Sequence, residues 1–223
     1  MGKIVVDNEY AHANWYFMLN PTKVVLVTSV SKEGRTNVMT VGWVMPCSHQ
    51  PWMVAVAIHP RRYTHQLIEE TKEFTVNVPS EELTYQTEYC GEYSGRFVDK
   101  FAETRLTAKP GKKVKSPWIK ECVAFMECRL AGRNKAGDHT IFIGEIVYAE
   151  AEERFIKRNP RTRTIPDRYF DPKKCRTLLH LGGDAYVVSS PKLYKPEVPP
   201  PARSWKKEQL KEGDSNVSRA QRI

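Results

Sequence analysis

The sequence predicts a mainly β protein built as a barrel, with only a few short helices. Runs of apolar, β-branched residues recur along the chain, for example at 24–30, 53–58 and 140–148. Polar or glycine-containing breaks separate these runs, and no G-x-G-x-x-G follows any of them. Strands joined by short turns are typical of a closed β-barrel, whereas alternating strands and helices would indicate a parallel sheet and a Rossmann dinucleotide site.

The first half of the chain predicts four strands and one helix. Its strands follow from β-branched runs bounded by polar residues. Pro46 and Pro51 bound a polar stretch between two of these runs and predict a stiff loop there. In chain order, the predicted elements are a strand at 24–30, a turn at 32–34, a strand at 36–43, a loop at 45–51, a strand at 53–58, a helix at 63–71 and a strand at 74–78.

Two helical segments are predicted next. Residues 81–91 fit a short helix that ends at a glycine. Residues 94–101 fit a loop and a helical turn, in which we expect Phe97 and Phe101 to pack in the core while Lys100 points outward.

The second half then predicts a turn at 109–112 and a long hairpin. Strands at 123–130 and 140–148 are joined by a link at 131–138 that is rich in Gly, Asn and Lys. Residues 154–174 predict a basic loop, an inserted segment that covers another part of the molecule.

The chain is expected to contain one main domain. Residues 1–19 predict a lead-in that packs on the barrel, residues 20–190 the domain, and residues 191–223 an extended tail. The tail is rich in proline and then in charged residues, so it has too little apolar surface to fold alone.

Composition excludes several classes of protein. The 223 residues are 40% hydrophobic, which is enough for a core, but no apolar run is long enough to cross a membrane as a helix. The N-terminus lacks the apolar segment of a signal peptide, so a cytoplasmic location is expected. Five scattered cysteines without a C-x-x-C pair favour reduced thiols and give no metal site.

The net charge of +9 raises the alternative of a nucleic-acid binder. No recognisable DNA- or RNA-binding module accompanies the basic segments. Basic loops around an anionic cofactor and an anionic reductant account for the charge equally well. We therefore expect no nucleic-acid partner.

Residues 37–40 and the loop at 45–51 are the first candidate binding segments. Alternation along a strand directs Asn37 and Met39 to one face and Val38 and Thr40 to the other. The alternative is an ordinary exit from a turn, and a stiff surface loop at 45–51.

Two further segments carry groups that suit a phosphate. A helix that begins near Tyr63 presents unpaired backbone N–H groups beside Arg61 and Thr64. Ser94 offers a hydroxyl and Arg96 a cation, with Lys100 four residues further on. Ordinary helix capping and solvated charges are the alternative reading of both segments.

Taken in order, these segments resemble the flavin reductase-like domain family, an FMN-binding split β-barrel of Greek-key type that includes flavoredoxins. The resemblance runs from about residue 20 to about residue 186. Its matching residues are Asn20-Pro21, Thr28-Ser29, Gly34, the segment 37–40, the proline-bounded loop to Pro51, Tyr63-Thr64, the segment 74–79, Ser94-Gly95-Arg96 and Asp99-Lys100-Phe101.

The resemblance implies a set of FMN-binding residues. The ring would lie against Asn37, Val38, Met39, Thr40, Cys47 and Ser48. The phosphate would be held by Arg61, Thr64, Ser94, Arg96 and Lys100. His139 is the catalytic candidate, because the family has a histidine near the place where nicotinamide would dock.

The resemblance also implies an activity and an assembly. Hydride would pass from NADH or NADPH to FMN, and electrons then to a small-molecule or redox-protein acceptor such as free flavin or ferric iron. A homodimer with FMN at or near its interface is expected. Two alternatives stay open: a flavoredoxin-like electron carrier without NAD(P)H activity, and a non-catalytic flavin-binding or interaction protein.

Overall fold

The computed structural model describes residues 15–159 and 167–190. Within these residues the strands are β1 (Thr22–Lys23), β2 (Val25–Val30), β3 (Thr36–Val41), β4 (Val44–His49), β5 (Trp52–Ile58), β6 (Glu73–Val78), β7 (Ala108–Lys109), β8 (Trp118–Ile119), β9 (Ala124–Ala136), β10 (His139–Ala151), β11 (Ile156–Asn159), β12 (Asp167–Phe170), β13 (Leu178–Gly182) and β14 (Ala185–Val188). The α-helices are α1 (Tyr63–Thr71), α2 (Thr84–Glu92) and α3 (Lys100–Thr104), and 3₁₀ turns lie at Trp15–Leu19, Glu81–Leu83 and Glu153–Phe155.

Seven strands form one antiparallel sheet in the order β3-β2-β6-β9-β10-β5-β4. Its two edge strands, β3 and β4, are consecutive in the chain and are joined by Gly42 and Trp43 alone. A flat sheet of this order would be about 29 Å wide at about 4.8 Å per strand, yet the link spans at most about 11 Å. The sheet therefore curls until its edges come together at this link. The Ala57 N–H donates to the Trp43 carbonyl at 3.0 Å, which extends the β4–β5 pairing into the link. The predicted mainly β barrel is confirmed.

Strand β2 is buried on both of its faces. All six of its residues are buried. Val25 and Val27 belong to the interior cluster around Phe74 and Phe142, whereas Leu26 packs outward in a cluster formed with residues of α2 and α3. Burial on both faces favours apolar residues at successive positions, as at Val25, Leu26 and Val27. The buried Thr28 hydroxyl further along the strand donates to the Thr75 carbonyl at 3.3 Å.

Helix α1 coincides with the predicted helix at 63–71. Helix α2 follows a 3₁₀ turn within the predicted 81–91 segment and ends one residue beyond it. These two helices and α3 cover one side of the barrel next to β3, and this places the segments that connect them around a single cleft.

The loop prediction for residues 45–51 is wrong. Residues Val44–His49 form strand β4, which pairs with β5 and carries a register shift between Pro46 and Ser48. Proline is tolerated there because β4 is an edge strand, and the outward side of an edge needs no N–H donors. Two prolines within six residues resemble a loop in the sequence, but here they mark a bulged edge.

Two other predicted loops are also strands. The link at 131–138 is mostly the extension of β9 and β10, and only Gly137 and Asp138 turn the chain, with Gly137 at a φ of 59°. The described parts of 154–174 contain the hairpin of β11 and β12. The predicted lead-in up to residue 14 and the tail from residue 191 lie outside the described residues.

Candidate functional site

A cleft of about 540 Å³ opens where β3, the start of α1 and the segment between α2 and α3 meet. Seven residues predicted from the sequence line it together: Asn37, Met39, Arg61, Thr64, Ser94, Arg96 and Lys100. The rest of its wall is His59, Arg62, Tyr63, Cys90, Gly91, Tyr93, Gly95 and Phe97. Segments that are distant in the sequence thus converge on one cavity.

Strand β3 supplies the floor of the cleft by alternation. Asn37 and Met39 line the cavity, as their common parity predicted. The Val38 side chain is buried on the opposite face among the apolar residues beneath α2 and α3. Thr40 faces the same way, and its hydroxyl donates to the Thr87 carbonyl.

Asn37 has an unused acceptor buried in the wall of the cleft. The residue is 3% exposed, and its Nδ2 donates to Thr64 Oγ1 at 2.8 Å, but its Oδ1 is buried without a partner. Gly95 lies directly beside this oxygen, since a Cβ there would come within 1.9 Å of it. Only glycine leaves that approach free, and a buried polar atom without a partner is costly unless a ligand satisfies it.

Helix α1 begins at the cleft with its N-terminus uncapped. Arg62 is at the N-cap position and makes no side-chain capping bond. The first N–H groups of a helix have no intrahelical partner and lie at the positive end of its dipole. Backbone N–H donors and the Arg61 and Arg62 side chains therefore lie together at one end of the cleft.

Arg96 is held at this helix start by several contacts. Its Nη1 donates to the Arg61 carbonyl at 2.8 Å and its Nη2 to Gln66 Oε1 at 3.3 Å. The guanidinium carbon lies 5.2 Å from the centre of the Tyr63 ring. Such contacts orient the guanidinium before any ligand arrives, which lowers the entropy cost of binding.

Lys100 does not point outward as expected. It is 5% exposed, and its Nζ donates to the Val38 carbonyl at 2.9 Å and to the Cys90 carbonyl at 2.7 Å. Burial, together with nearby Arg62, lowers the pKa of Lys100 to about 8. Helix α3 begins at Lys100, so Arg96 and Lys100 share no helical face.

Phe97 corrects the sequence prediction as well. Phe101 is buried, but Phe97 is 86% exposed at the mouth of the cleft.

The cleft wall carries four cationic side chains and no carboxylate. Its chemistry suits an anionic ligand, and a phosphate above all.

A second cavity of about 640 Å³ adjoins the first and shares Met39, His59 and Arg62 with it. His139 lines this second cavity, with its Nδ1 2.7 Å from Asp138 Oδ1. The His139 ring centre lies 4.6 Å from that of Trp43 and 5.3 Å from that of His59. A wall of aromatic and imidazole rings suits a planar ring system.

Cys47 and Ser48 are not brought into either cavity. Both lie on the edge strand β4, where Cys47 is exposed. The cysteine that does line the cleft is Cys90, which the sequence did not single out. Burial raises the pKa of the Cys90 thiol to about 11, an effect that Lys100 partly offsets, so the thiol is protonated at neutral pH.

Two other wall residues, Trp43 and Tyr93, were missed because single aromatic residues carry no motif. His59 lines both cavities, and it begins the segment 59–64 that the sequence indicated as a phosphate candidate.

A metal-binding cluster and a membrane-spanning helix are both absent from the described residues. In residues 15–159 and 167–190, no group of histidine, cysteine and acidic side chains is arranged to hold a metal ion. No helix in that part of the chain is both long and apolar enough for a membrane span.

Comparison with known protein families identifies one family over most of the chain. The family described as "Flavin reductase like domain" matches residues 17–171. An uncharacterised protein of Archaeoglobus fulgidus is 42% identical over 142 residues, which cover 64% of this chain and 79% of that protein. A flavin reductase of Pseudomonas putida is 30% identical over 132 residues, covering 59% of this chain and 74% of that protein.

A solved structure shows the same fold. Flavoredoxin of Desulfovibrio vulgaris (Miyazaki F) superposes with a TM-score of 0.70 at 29% sequence identity. The match covers 87% of this chain and 97% of that chain.

Proposed function

The chain belongs to the family of flavin reductase like domains, and from that premise we propose that it binds FMN in the cleft and acts as an oxidoreductase. One observation carries the proposal. A cleft with four cations, an uncapped helix start and no carboxylate adjoins a cavity walled by aromatic rings. FMN combines an anionic phosphate with a planar ring, so it matches both halves.

The phosphate is assigned to the end of the cleft at α1. Arg61 and Arg96 supply charge there, Thr64 and Ser94 supply hydroxyls, and the helix start supplies N–H groups. Lys100 lies deeper and is already bonded to two carbonyls, so its role is a positive field from below more than a direct contact.

The ring is assigned to the side of Met39 and the second cavity. Met39 gives an apolar contact there. Asn37 Oδ1 lies beside Gly95, nearer the phosphate end, where a ligand hydroxyl would satisfy it. Because the Val38 and Thr40 side chains face the other way, their contact with the ring would come from the backbone.

Bound FMN would supply the redox chemistry, because its ring takes up and releases electrons. The residues around it orient the partners and exclude water. His139, positioned by Asp138 through Nδ1, keeps Nε2 available to a ligand in the second cavity. We assign NADH or NADPH to that cavity as reductant, and free flavin, ferric iron or a redox protein as acceptor.

A flavoredoxin-like electron carrier is the second candidate. The likeness to flavoredoxin over 87% of the chain favours it. A carrier would keep the FMN cleft but would receive electrons from a protein instead of a nicotinamide nucleotide.

We also propose a homodimer. An apolar groove of about 410 Å³ runs beside the edge strand β4 and includes Trp15, Trp43 and Met45. Trp43 and Met45 in this groove are 39% and 56% exposed. An edge strand with large exposed apolar side chains is suited to a second copy. In such a dimer, Cys47 and Ser48 would face the partner's cofactor site.

The first experiment is a flavin-retention and reduction assay. The purified protein is incubated with FMN and desalted, and its visible absorbance is recorded before and after anaerobic addition of NADH or NADPH. We expect retained flavin bands that bleach within seconds. Arg96→Ala should retain less FMN, with Arg176→Ala as a control that removes a charge outside the cleft.

Two other outcomes would favour the electron carrier or contradict flavin binding. A yellow protein that neither nucleotide bleaches supports the carrier. A colourless protein after desalting contradicts the flavin assignment altogether.

A further inference from the structure

A third cavity lies beyond the two that the proposed function uses. Its volume is about 440 Å³, and it shares His59, Asp138 and His139 with the second cavity, to which we assign NADH or NADPH. The rest of its wall is Pro60, Arg133, Lys135, Gly137 and Thr140. A ligand whose nicotinamide lies beside His139 in the second cavity can therefore extend past that residue into the third.

Strand β9 brings two cations to the wall of this third cavity. Arg133 and Lys135 are two residues apart in the strand, so alternation directs both side chains to the same face. Lys135 lies opposite Thr140 of β10, which also lines the cavity, whereas Asn134 does not line it. The positive charge of this wall thus follows from the alternation of one strand.

The two cations differ in how far the protein itself neutralises them. Arg133 contacts Glu69 through Nη1, and the other oxygen of that carboxylate accepts from Lys72 Nζ at 3.0 Å, so one carboxylate serves two cations. Within the described residues, Lys135 makes no ion pair. The contact with Glu69 orients the guanidinium of Arg133, while its further N–H groups and the Lys135 ammonium can meet an anion.

The chemistry of this wall distinguishes the two nicotinamide nucleotides. NADPH differs from NADH only by a phosphate on the 2′-hydroxyl of its adenosine ribose. A carboxylate suits the free hydroxyl of NADH, whereas an arginine suits the phosphate of NADPH. Asp138 is the single acidic residue among those that line the third cavity, and its Oδ1 already contacts His139 Nδ1 at 2.7 Å. Two cations against one engaged carboxylate favour the phosphate.

We propose that Arg133 and Lys135 bind the 2′-phosphate of NADPH, so that this protein prefers NADPH to NADH. The inference rests on the proposed function, since it specifies which of the two nucleotides is the reductant. The nicotinamide lies in the second cavity beside the flavin, and the adenosine ribose lies in the third cavity.

The first test is equilibrium binding, which does not depend on turnover. Adenosine 2′,5′-bisphosphate and 5′-AMP, which differ only in the 2′-phosphate, are titrated by calorimetry into the FMN-loaded protein. We expect the bisphosphate to bind about 10- to 100-fold more tightly, as one or two charge-assisted hydrogen bonds provide. Lys135→Met should lower this ratio by about tenfold and leave the affinity for 5′-AMP within about twofold.

The second test is the selectivity of flavin reduction. Anaerobic stopped-flow measurements give kcat/KM for NADPH and for NADH with the FMN-loaded protein. Lys135→Glu replaces an attraction to the 2′-phosphate by a repulsion, so it should reverse the preference for NADPH while kcat/KM for NADH changes little. Because Lys135 has no ion pair to lose, both of its variants should fold. Lys113→Met removes an exposed lysine outside all three cavities and is the matched control.

Three results would overturn this site. They are equal affinities for the bisphosphate and 5′-AMP in the wild type, an equal loss for NADPH and NADH in Lys135→Met, and a preference for NADPH that neither variant of Lys135 alters.

Failure of the proposed function gives a different result. A protein that retains no FMN, or whose FMN neither nucleotide reduces, contradicts the reductase. If adenosine 2′,5′-bisphosphate still binds that protein with dependence on Lys135, the phosphate site stands without the reductase activity.

Discussion

The loop at residues 110–116 and the cleft beside Asn37 both collect hydrogen-bond donors, but only the loop meets a carboxylate of the protein itself. Glu127 is fully buried, and its carboxylate accepts the N–H groups of Lys112 and Lys113 at 2.6 Å and that of Val114 at 3.3 Å. In the cleft, by contrast, the start of α1 and its arginines have no carboxylate in the wall.

Two buried asparagines repeat the contrast. Asn77 on β6 is fully satisfied: its Nδ2 donates to the Leu26 carbonyl at 3.0 Å, and its Oδ1 accepts the Ile119 N–H at 2.9 Å. Asn37 on β3 uses only its Nδ2. Where the fold completes its own hydrogen bonds, the polar group stabilises; where it leaves them open, the group is available to a ligand.

The largest expected effect is at the loop. Glu127→Ala leaves three N–H groups without their acceptor, that of Val114 in the interior and those of Lys112 and Lys113 partly buried, so we expect the free energy of unfolding to fall by about 3 kcal/mol. Urea denaturation measures it, and Glu127→Gln, which keeps one acceptor oxygen, should lose less. A loss below about 1 kcal/mol would contradict the structural role of this carboxylate.

The two asparagines test the contrast directly. Asn77→Ala should cost about 2–3 kcal/mol of stability because it leaves a buried carbonyl and a buried N–H unpaired. Asn37→Ala should cost less than about 1 kcal/mol, since it removes one hydrogen bond and also an unpaired oxygen. Thermal or urea unfolding of both variants gives the comparison. Equal losses would show that Asn37 is as structural as Asn77.

Arg96 tests the ligand side of the contrast. We expect Arg96→Ala to weaken FMN binding by about 10- to 100-fold, the worth of one or two charge-assisted hydrogen bonds, and to leave stability nearly unchanged. Titration with riboflavin, which lacks the phosphate, is the control and should show a much smaller change. An equal effect on both ligands would move the phosphate away from Arg96.

The smallest expected effect is a pH dependence of FMN affinity that arises from Lys100. Because its pKa is lowered to about 8, the ammonium present at pH 7 loses its proton as pH rises through that value. The positive field at the phosphate then disappears, and FMN affinity should fall by up to about tenfold between pH 7 and 9. Phosphate ionisation is complete over most of this range, since its second pKa is about 6.

Fluorescence titration of FMN and riboflavin at each pH measures this dependence. Riboflavin affinity should stay flat, and in Lys100→Met the difference between the two ligands should no longer vary with pH. A persistent dependence in that variant would assign the titration to another group.

Residue type and spacing were enough to predict much of the barrel. The helix at 63–71 was predicted to the residue, because a clear start follows a strand and a hydrophilic break. Strand β4 was missed because proline is read as a loop signal, and only the position of that strand at a sheet edge makes it acceptable.

The site was predictable to a similar extent. Parity along β3 placed Asn37 and Met39 together on one face, and the cationic residues near 61 and 96 converged on the cleft as the resemblance implied. The predicted burial of Phe97 and the predicted exposure of Lys100 were both wrong, since the phenylalanine is exposed and the lysine is buried. Periodicity ranks residues by hydrophobicity, and it cannot foresee that two main-chain carbonyls would accept from a lysine in the interior.

The sequence by itself determined the fold class, the strand parity and the chemical character of the cleft, because these depend on local patterns of apolar, small and charged residues. The tertiary structure alone decided which polar groups lack a hydrogen-bond partner. Whether Asn37 Oδ1 or the start of α1 finds a partner depends on what chain closure brings within about 3 Å, and residues far apart in sequence, such as Asn37 and Gly95, meet only in the folded barrel.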